Sequence, residues 1–146
     1  MEHFIYKQAK SMKEEEIIIG FDYGPKKIGV AVGNLLTKIA TPLFNLNQTK
    51  QTSIYDQIDK IVDEWKPFMF IIGLPELKDG NDHPLKYLIE KFKEKLEVRY
   101  KKPVILINER LSSHEAYKIR ELYDKNKPLD AIAASLIIKT WILEST

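Results

Sequence analysis

Apolar residues occur in short runs at the start of the chain, and these runs predict three strands. Residues 17–21 form an uninterrupted apolar stretch, which is typical of a strand buried on both faces of a sheet. Turn-forming residues at 24–27 separate it from a second apolar stretch at 28–33, so the two strands are expected to form a hairpin. Residues 39–46 predict a third strand, and Pro42 places it at an edge of the sheet.

Helical and strand patterns alternate along the rest of the chain. Apolar residues at helical spacing and their flanking prolines and serines predict helices, and two further apolar runs predict buried strands. The predicted helices are 54–65, 85–96, 112–122 and 129–141, and the predicted strands are 68–72 and 104–107. The order β-β-β-α-β-α-β-α-α predicts an α/β fold with a mixed five-stranded sheet, in which three antiparallel strands precede parallel additions, flanked by helices. Residues 16–146 are expected to form one domain, and residues 1–15 a polar lead-in.

Composition restricts the cellular compartment and the type of metal site. The chain has 146 residues, of which 44% are hydrophobic, but no apolar run approaches the roughly 18 residues that a membrane span requires. It contains no cysteine, which excludes disulfides and thiolate metal sites and favours a cytoplasmic protein. The net charge of +2 permits nucleic-acid binding without requiring it.

Lysines are concentrated between residues 86 and 102. We expect most of them to lie on the solvated face of a helix, in pairs with acids one turn away. A few are candidates for phosphate contacts.

Three carboxylates stand at positions where a metal site can form. Asp22 directly follows a fully apolar strand, and Glu109 repeats this pattern after the last strand. The two converge at the carboxyl edge of the sheet if those strands are neighbours, and the small residues around Asp130 would let the last helix bring in a third carboxylate. Three carboxylates about 4 Å apart repel by roughly 4 kcal/mol per pair, so they need a cation. Oxygen ligands without cysteine favour Mg²⁺ or Mn²⁺, which suit hydrolysis of a phosphodiester.

Each acid also has a purely structural interpretation. Asp22 begins a sequence that is favourable for a turn, and Glu109 can pair with the adjacent Arg110. Asp130 lies in the first turn of a helix, where the helix dipole favours any acid. The functional interpretation therefore depends on convergence of the three.

Four sequence blocks, in order, resemble the YqgF family, whose members are described as Holliday-junction resolvases or pre-16S rRNA nucleases. They are residues 21–33, residues 72–75 with Asp79-Gly80, residues 109–116 and residues 129–134. The resemblance implies a ribonuclease-H-like fold related to the RuvC-type resolvases, with catalytic and metal-binding acids at Asp22, Glu109 and Asp130. It also implies divalent-metal hydrolysis of structured RNA, at the 5′ end of the 16S rRNA precursor, or of branched DNA.

The chain departs from the family pattern in several places. Asn108 stands where an Asp is usual, which removes a possible auxiliary acid, and Pro25 replaces a usual Thr. The segment between Ala116 and Asp130 is shorter than usual, which affects a candidate substrate-binding arm. Glu76 replaces an apolar residue and is interpreted as a surface acid rather than a fourth ligand.

Three basic residues are candidate phosphate ligands. Lys26 and Lys27 lie in the predicted hairpin beside Asp22, and Arg110 follows Glu109. Besides a nuclease, two alternatives remain open: a non-catalytic nucleic-acid or ribosome-associated module of the same fold, and a nucleotide phosphotransferase, which would need a second such domain. No membrane association is expected, and either a monomer or a homodimer is compatible with the sequence.

Overall fold

The structure is a computed structural model that describes residues 16–75, 77, 79–109 and 126–145, with Glu109 described in its backbone alone. The predicted helix at 112–122, the lead-in at 1–15, Glu76 and Arg110 lie outside the described residues.

Five strands form one sheet in the order β3-β2-β1-β4-β5. The first three are antiparallel neighbours, and β4 and β5 are added in parallel, as the element order predicts. The strand β4 lies between β1 and β5, so the strands that carry Asp22 and Glu109 are not adjacent. The strands are β1 (Ile17–Tyr23), β2 (Lys27–Asn34), β3 (Ile39–Asn47), β4 (Met69–Pro75) and β5 (Val104–Glu109).

Strand β3 lies at an edge of the sheet, as Pro42 predicts. Its pairing with β2 contains an irregularity between Val30 and Ala31: Val30 pairs with Phe44, whereas Ala31 pairs with Pro42. Leu43 is thus the extra residue of a bulge, and an edge strand with a bulge tolerates the missing N–H of proline.

Three helices are described, and their ends follow the local sequence. The helix α1 (Ile54–Trp65) begins after Ser53, whose hydroxyl accepts a hydrogen bond from the Tyr55 N–H, and ends at Lys66, which adopts a left-handed conformation before Pro67. The helix α2 (Lys86–Tyr100) also ends at a left-handed lysine, Lys101. The helix α3 (Leu129–Glu144) follows Pro128. No helix in the described ranges is both long and apolar enough to cross a membrane.

Alternation along the strands sends neighbouring side chains to two cores on opposite faces of the sheet. Ile19 and Phe21 pack with apolar residues of α1 and α2, whereas Ile18 packs with apolar residues of α3. Fully burying such side chains contributes about 1.5–3 kcal/mol each. The strand β1 is therefore apolar on both faces, and α3 is buried over most of its length.

Candidate active site

Asp22 lies near the carboxyl end of β1, on the face of the sheet that α3 covers. Its neighbours Phe21 and Tyr23 belong to the core formed with α1 and α2, so alternation directs Asp22 to the other side. Its partner in the antiparallel ladder is Gly29 of β2. The residue is half-buried, at the edge of the sheet where the predicted site was expected.

Gly29 lets the first turn of α3 approach the sheet very closely. A Cβ atom at this position would lie 2.0 Å from the carbonyl oxygen of Asp130, which is a severe clash with backbone. Paired antiparallel residues have Cα atoms about 4.5–5.5 Å apart, so Asp22 lies beside Gly29 in the sheet and the Asp130 backbone lies over it. The structure thus places the backbone of Asp130 over the ladder partner of Asp22, and convergence of the two carboxylates stays a prediction.

Asn45 of β3 is a member of the site that the sequence did not indicate. It pairs with Gly29 from the other side, and its side-chain Nδ2 donates a hydrogen bond to Oδ2 of Asp130 at 3.3 Å. Its Oδ1 is buried and has no hydrogen-bond partner among the described residues. A buried amide oxygen without a partner is costly in free energy unless a ligand or water satisfies it.

Glu109 is the last residue of β5, and its backbone pairs with Pro75 of β4. It therefore ends at the same edge of the sheet as Asp22, with one strand between them. Convergence of its carboxylate with the other two stays a prediction, as does the role of Arg110.

Asn108 is exposed, and alternation places it on the face opposite Ile107, which packs against α3. The acid that this residue replaces would thus lie away from the face that carries Asp22 and Asp130.

The two candidate lysines occupy different positions in the β1–β2 hairpin, although both are exposed. Lys27 begins β2 two residues before Gly29, so alternation places it on the face of Asp22. Lys26 lies in the turn, where its carbonyl oxygen accepts a hydrogen bond of 2.8 Å from the Gln48 N–H. The geometry favours Lys27 as the phosphate ligand.

The chemistry of these donors fits a magnesium-type ion. The carboxylates of Asp22 and Asp130 and the Oδ1 of Asn45 offer oxygen atoms alone, which Mg²⁺ and Mn²⁺ prefer. Within the described residues no group of three His, Cys, Asp or Glu lies close enough to hold a metal ion. The described donors are therefore two carboxylates and an amide, and Glu109 is the predicted third acid.

Comparison with known proteins identifies the family. The model of the family RuvX, described as Holliday junction resolvase, matches residues 16–144. The chain belongs to the RuvX family. This confirms the resemblance seen in the sequence, since YqgF is another name of the same family.

Curated relatives and solved structures agree with membership in the RuvX family. A protein of Paraburkholderia xenovorans named "putative pre-16S rRNA nuclease" is 40% identical over 129 residues, which cover 88% of each chain. A protein of Pseudomonas putida with the same name is 36% identical over 141 residues, covering 92% of this chain and 100% of the relative.

The fold resembles RuvC of T. thermophilus in complex with a Holliday junction substrate, with a TM-score of 0.58 at 13% identity over 90% of this chain and 96% of that one. It also resembles the fowlpox virus resolvase bound to Holliday junction DNA, with a TM-score of 0.53 at 17% identity over 88% and 97% of the two chains. These likenesses confirm the ribonuclease-H-like fold.

Proposed function

We propose that this chain is a nuclease that hydrolyses phosphodiesters with a divalent ion, Mg²⁺ or Mn²⁺, held by Asp22, Glu109 and Asp130. The observation that carries this proposal is the approach of the Asp130 main chain to Gly29, the ladder partner of Asp22. A structural acid in the first turn of a helix does not require this approach. The metal would activate water and stabilise the leaving oxygen.

The side chains of this site would have different roles in binding the metal and the substrate. Asp22 and Asp130 supply the negative charge that attracts the ion, and Glu109 would complete the set. Asn45 donates to Oδ2 of Asp130 and so fixes the orientation of that carboxylate. Lys27 would bind a phosphate of the substrate next to Asp22, and Arg110 is proposed as a second phosphate contact.

The proposed substrate is the 5′ end of the 16S rRNA precursor. Support comes from the curated relatives of 36–40% identity, which carry that activity in their names and match almost the whole chain. An rRNA substrate and a chain without cysteine both agree with a cytoplasmic setting. Because the family model begins at residue 16, we take residues 16–146 as the nuclease domain and 1–15 as a lead-in.

A second candidate is resolution of four-way DNA junctions, which the description of the family favours. Paired cuts in a junction need two active sites, so this activity predicts a homodimer, whereas rRNA trimming needs only a monomer. The loss of an acid at Asn108 would favour a non-catalytic module if that acid served the site. That alternative loses support because Asn108 lies on the opposite face of the sheet from Asp22.

The test is cleavage of two labelled substrates, an RNA spanning the 5′ end of mature 16S rRNA and a four-way DNA junction, with Mg²⁺ or Mn²⁺. We expect the wild-type chain to cut the RNA, and the Asp22→Asn and Asp130→Asn variants to lose at least about 100-fold in rate. Asp63→Asn, an exposed acid on α1, is the matched control and should keep the rate. Cutting of the junction alone would favour resolution, and folded wild-type protein that cuts neither would support the binding module.

A further inference from the structure

A groove lies between the start of α1 and the outer face of α2, on the side of the sheet away from α3. Two cavities of about 520 Å³ and 270 Å³ form it, and both are lined by Tyr55 and Lys95. We call it the basic groove and define it by six of its lining residues: Tyr23, Lys50, Tyr55, Lys91, Lys95 and Arg99.

The lysines of the groove differ from other lysines of α2. The Lys86 ammonium lies 3.1 Å from the Asp82 carboxylate, and the Lys93 ammonium lies 2.8 Å from the Glu97 carboxylate. Both pairs are one helical turn apart in sequence, as the sequence pattern predicts. In the described part of the chain no carboxylate pairs with Lys50, Lys91 or Lys95. Asp59 pairs with Arg99, and Glu94 is the one acid among the described lining residues, so the three lysines leave the groove positively charged.

Aromatic rings lie among these cations. Tyr55 lines both cavities and is half-buried, and the guanidinium carbon of Arg99 lies 5.6 Å from the centre of its ring. Tyr87 is 65% exposed next to the groove, with the Lys91 ammonium 5.4 Å from its ring centre. Rings alternating with cations are typical of surfaces that bind single-stranded nucleic acid, where bases stack and phosphates meet positive charge.

The groove begins beside the candidate active site. Tyr23, at its near end, directly follows Asp22 at the tip of β1. Gln48 also lines the groove, and it is hydrogen-bonded to the β1–β2 hairpin through the carbonyl oxygens of Gly24 and Lys26. Because Asp22 faces α3 and the groove lies on the opposite side of the sheet, a nucleic-acid strand that leaves Asp22 has to round the β1–β2 hairpin, past Lys27, to reach the groove.

We infer that the basic groove binds the single-stranded flank of the nucleic acid whose phosphodiester lies at Asp22. This inference rests on the proposed nuclease function, because it takes Asp22 as the point of cleavage. It assigns phosphate contacts to Lys50, Lys91 and Lys95, and base stacking to Tyr55.

The experiment measures binding without cleavage. The full chain carrying Asp22→Asn, without divalent metal, is titrated with a fluorescent single-stranded RNA at several salt concentrations. We expect Lys91→Ala with Lys95→Ala to weaken binding and to reduce the slope of log K against log salt by about 1.4, since each phosphate contact on a single strand contributes about 0.7. The control removes the same charge with Lys60→Ala and Lys139→Ala, two exposed helical lysines outside the groove, and should leave the slope unchanged.

Photocrosslinking of RNA containing 5-iodouridine provides an independent measurement. We expect crosslinks to Tyr55, and their absence would contradict the base stacking assigned to that ring.

Other outcomes would overturn the inference. Equal losses in the groove and control variants would leave only general electrostatic attraction. The same titration is run with duplex RNA and with poly-glutamate. A loss of affinity in the groove variant that appears only with duplex RNA would exclude a single-stranded occupant. Equal affinity for poly-glutamate would assign the groove to an acidic protein segment. Failure of the proposed function is distinguishable, because a wild-type chain that cuts no substrate with metal can still show the groove-dependent slope.

Discussion

The side-chain amide of Asn45, on an edge strand, donates a hydrogen bond to the carboxylate of Asp130, on the last helix, at 3.3 Å. The two residues are 85 positions apart, and Gly29 lies opposite Asn45 in the sheet and beneath Asp130. One glycine therefore brings together the end of β1, the edge strand and the start of α3, and the candidate site depends on their packing as much as on its acids.

Asn45→Ala should weaken metal binding with little loss of stability. The hydrogen bond is worth about 0.5–1.5 kcal/mol, but truncation also removes the buried Oδ1, which has no partner among the described residues, so the net change in free energy of unfolding should be below about 1 kcal/mol. The Asp130 carboxylate loses its orientation, and metal affinity should fall about 10-fold or more. Chemical denaturation and metal titration measure the two effects. Asn47→Ala, on the same strand, is the control, and equal loss in both variants would contradict a positioning role.

Gly29→Ala should damage both stability and activity. Its Cβ would meet backbone of Asp130 and Ala131, which cannot rotate away, so we expect a loss of about 1–3 kcal/mol and displacement of α3. Gly33→Ala is the control on the same strand and face, since its Cβ would meet side chains of Ile138 and Ile18 instead. Both variants should unfold at lower temperature, but only Gly29→Ala should lose metal affinity while still folded. Retained metal affinity in that variant would show that the close approach is not needed.

The order of the elements and the positions of Asp22 and Asp130 follow from the sequence, because apolar runs and helical spacing are local signals. The role of Asn45 does not, since it depends on register. The extra residue Leu43 shifts the pairing by one, so that Asn45 rather than Phe44 lies opposite Gly29. The position of β4 between β1 and β5 is likewise a property of the whole sheet, because adjacency is not encoded in any single strand.

Mg²⁺ should raise the melting temperature of the wild-type chain. A ligand at 100 times its Kd adds about 2.7 kcal/mol, which corresponds to about 5–10 °C for a domain of this size. Asp22→Asn should abolish this increase, and Asp63→Asn should keep it. An equal rise in all three proteins would place the ion outside the proposed site.

Protonation of Asp59 should make the protein less stable in acid. Hydrogen bonds from Arg99 and then from the Tyr100 hydroxyl lower its pKa from 3.8 to about 2. A lowered pKa in the folded state contributes stability above the ordinary value, and this is lost as the pH falls from about 5 to 2. Because the pair is about half exposed, its contribution should be below about 1 kcal/mol and should fall with salt. Wild type and Asp59→Asn should therefore differ in stability at pH 6 and converge near pH 2, and a constant difference would contradict the ionic origin.

Lys27→Ala should raise the KM for the nucleic acid more than Lys26→Ala does. The two residues are adjacent and equally charged, so long-range attraction is reduced alike, but alternation from Gly29 places only Lys27 on the face of Asp22. A phosphate held equally in the ground and transition states affects KM with little change in kcat. Steady-state kinetics of both variants on the same RNA provide the comparison. Lys38→Arg, in the β2–β3 turn, keeps the charge and should keep the wild-type KM, so it is the control for protein preparation. A larger effect at Lys26 would mean that the substrate approaches over the turn instead of along the face that α3 covers.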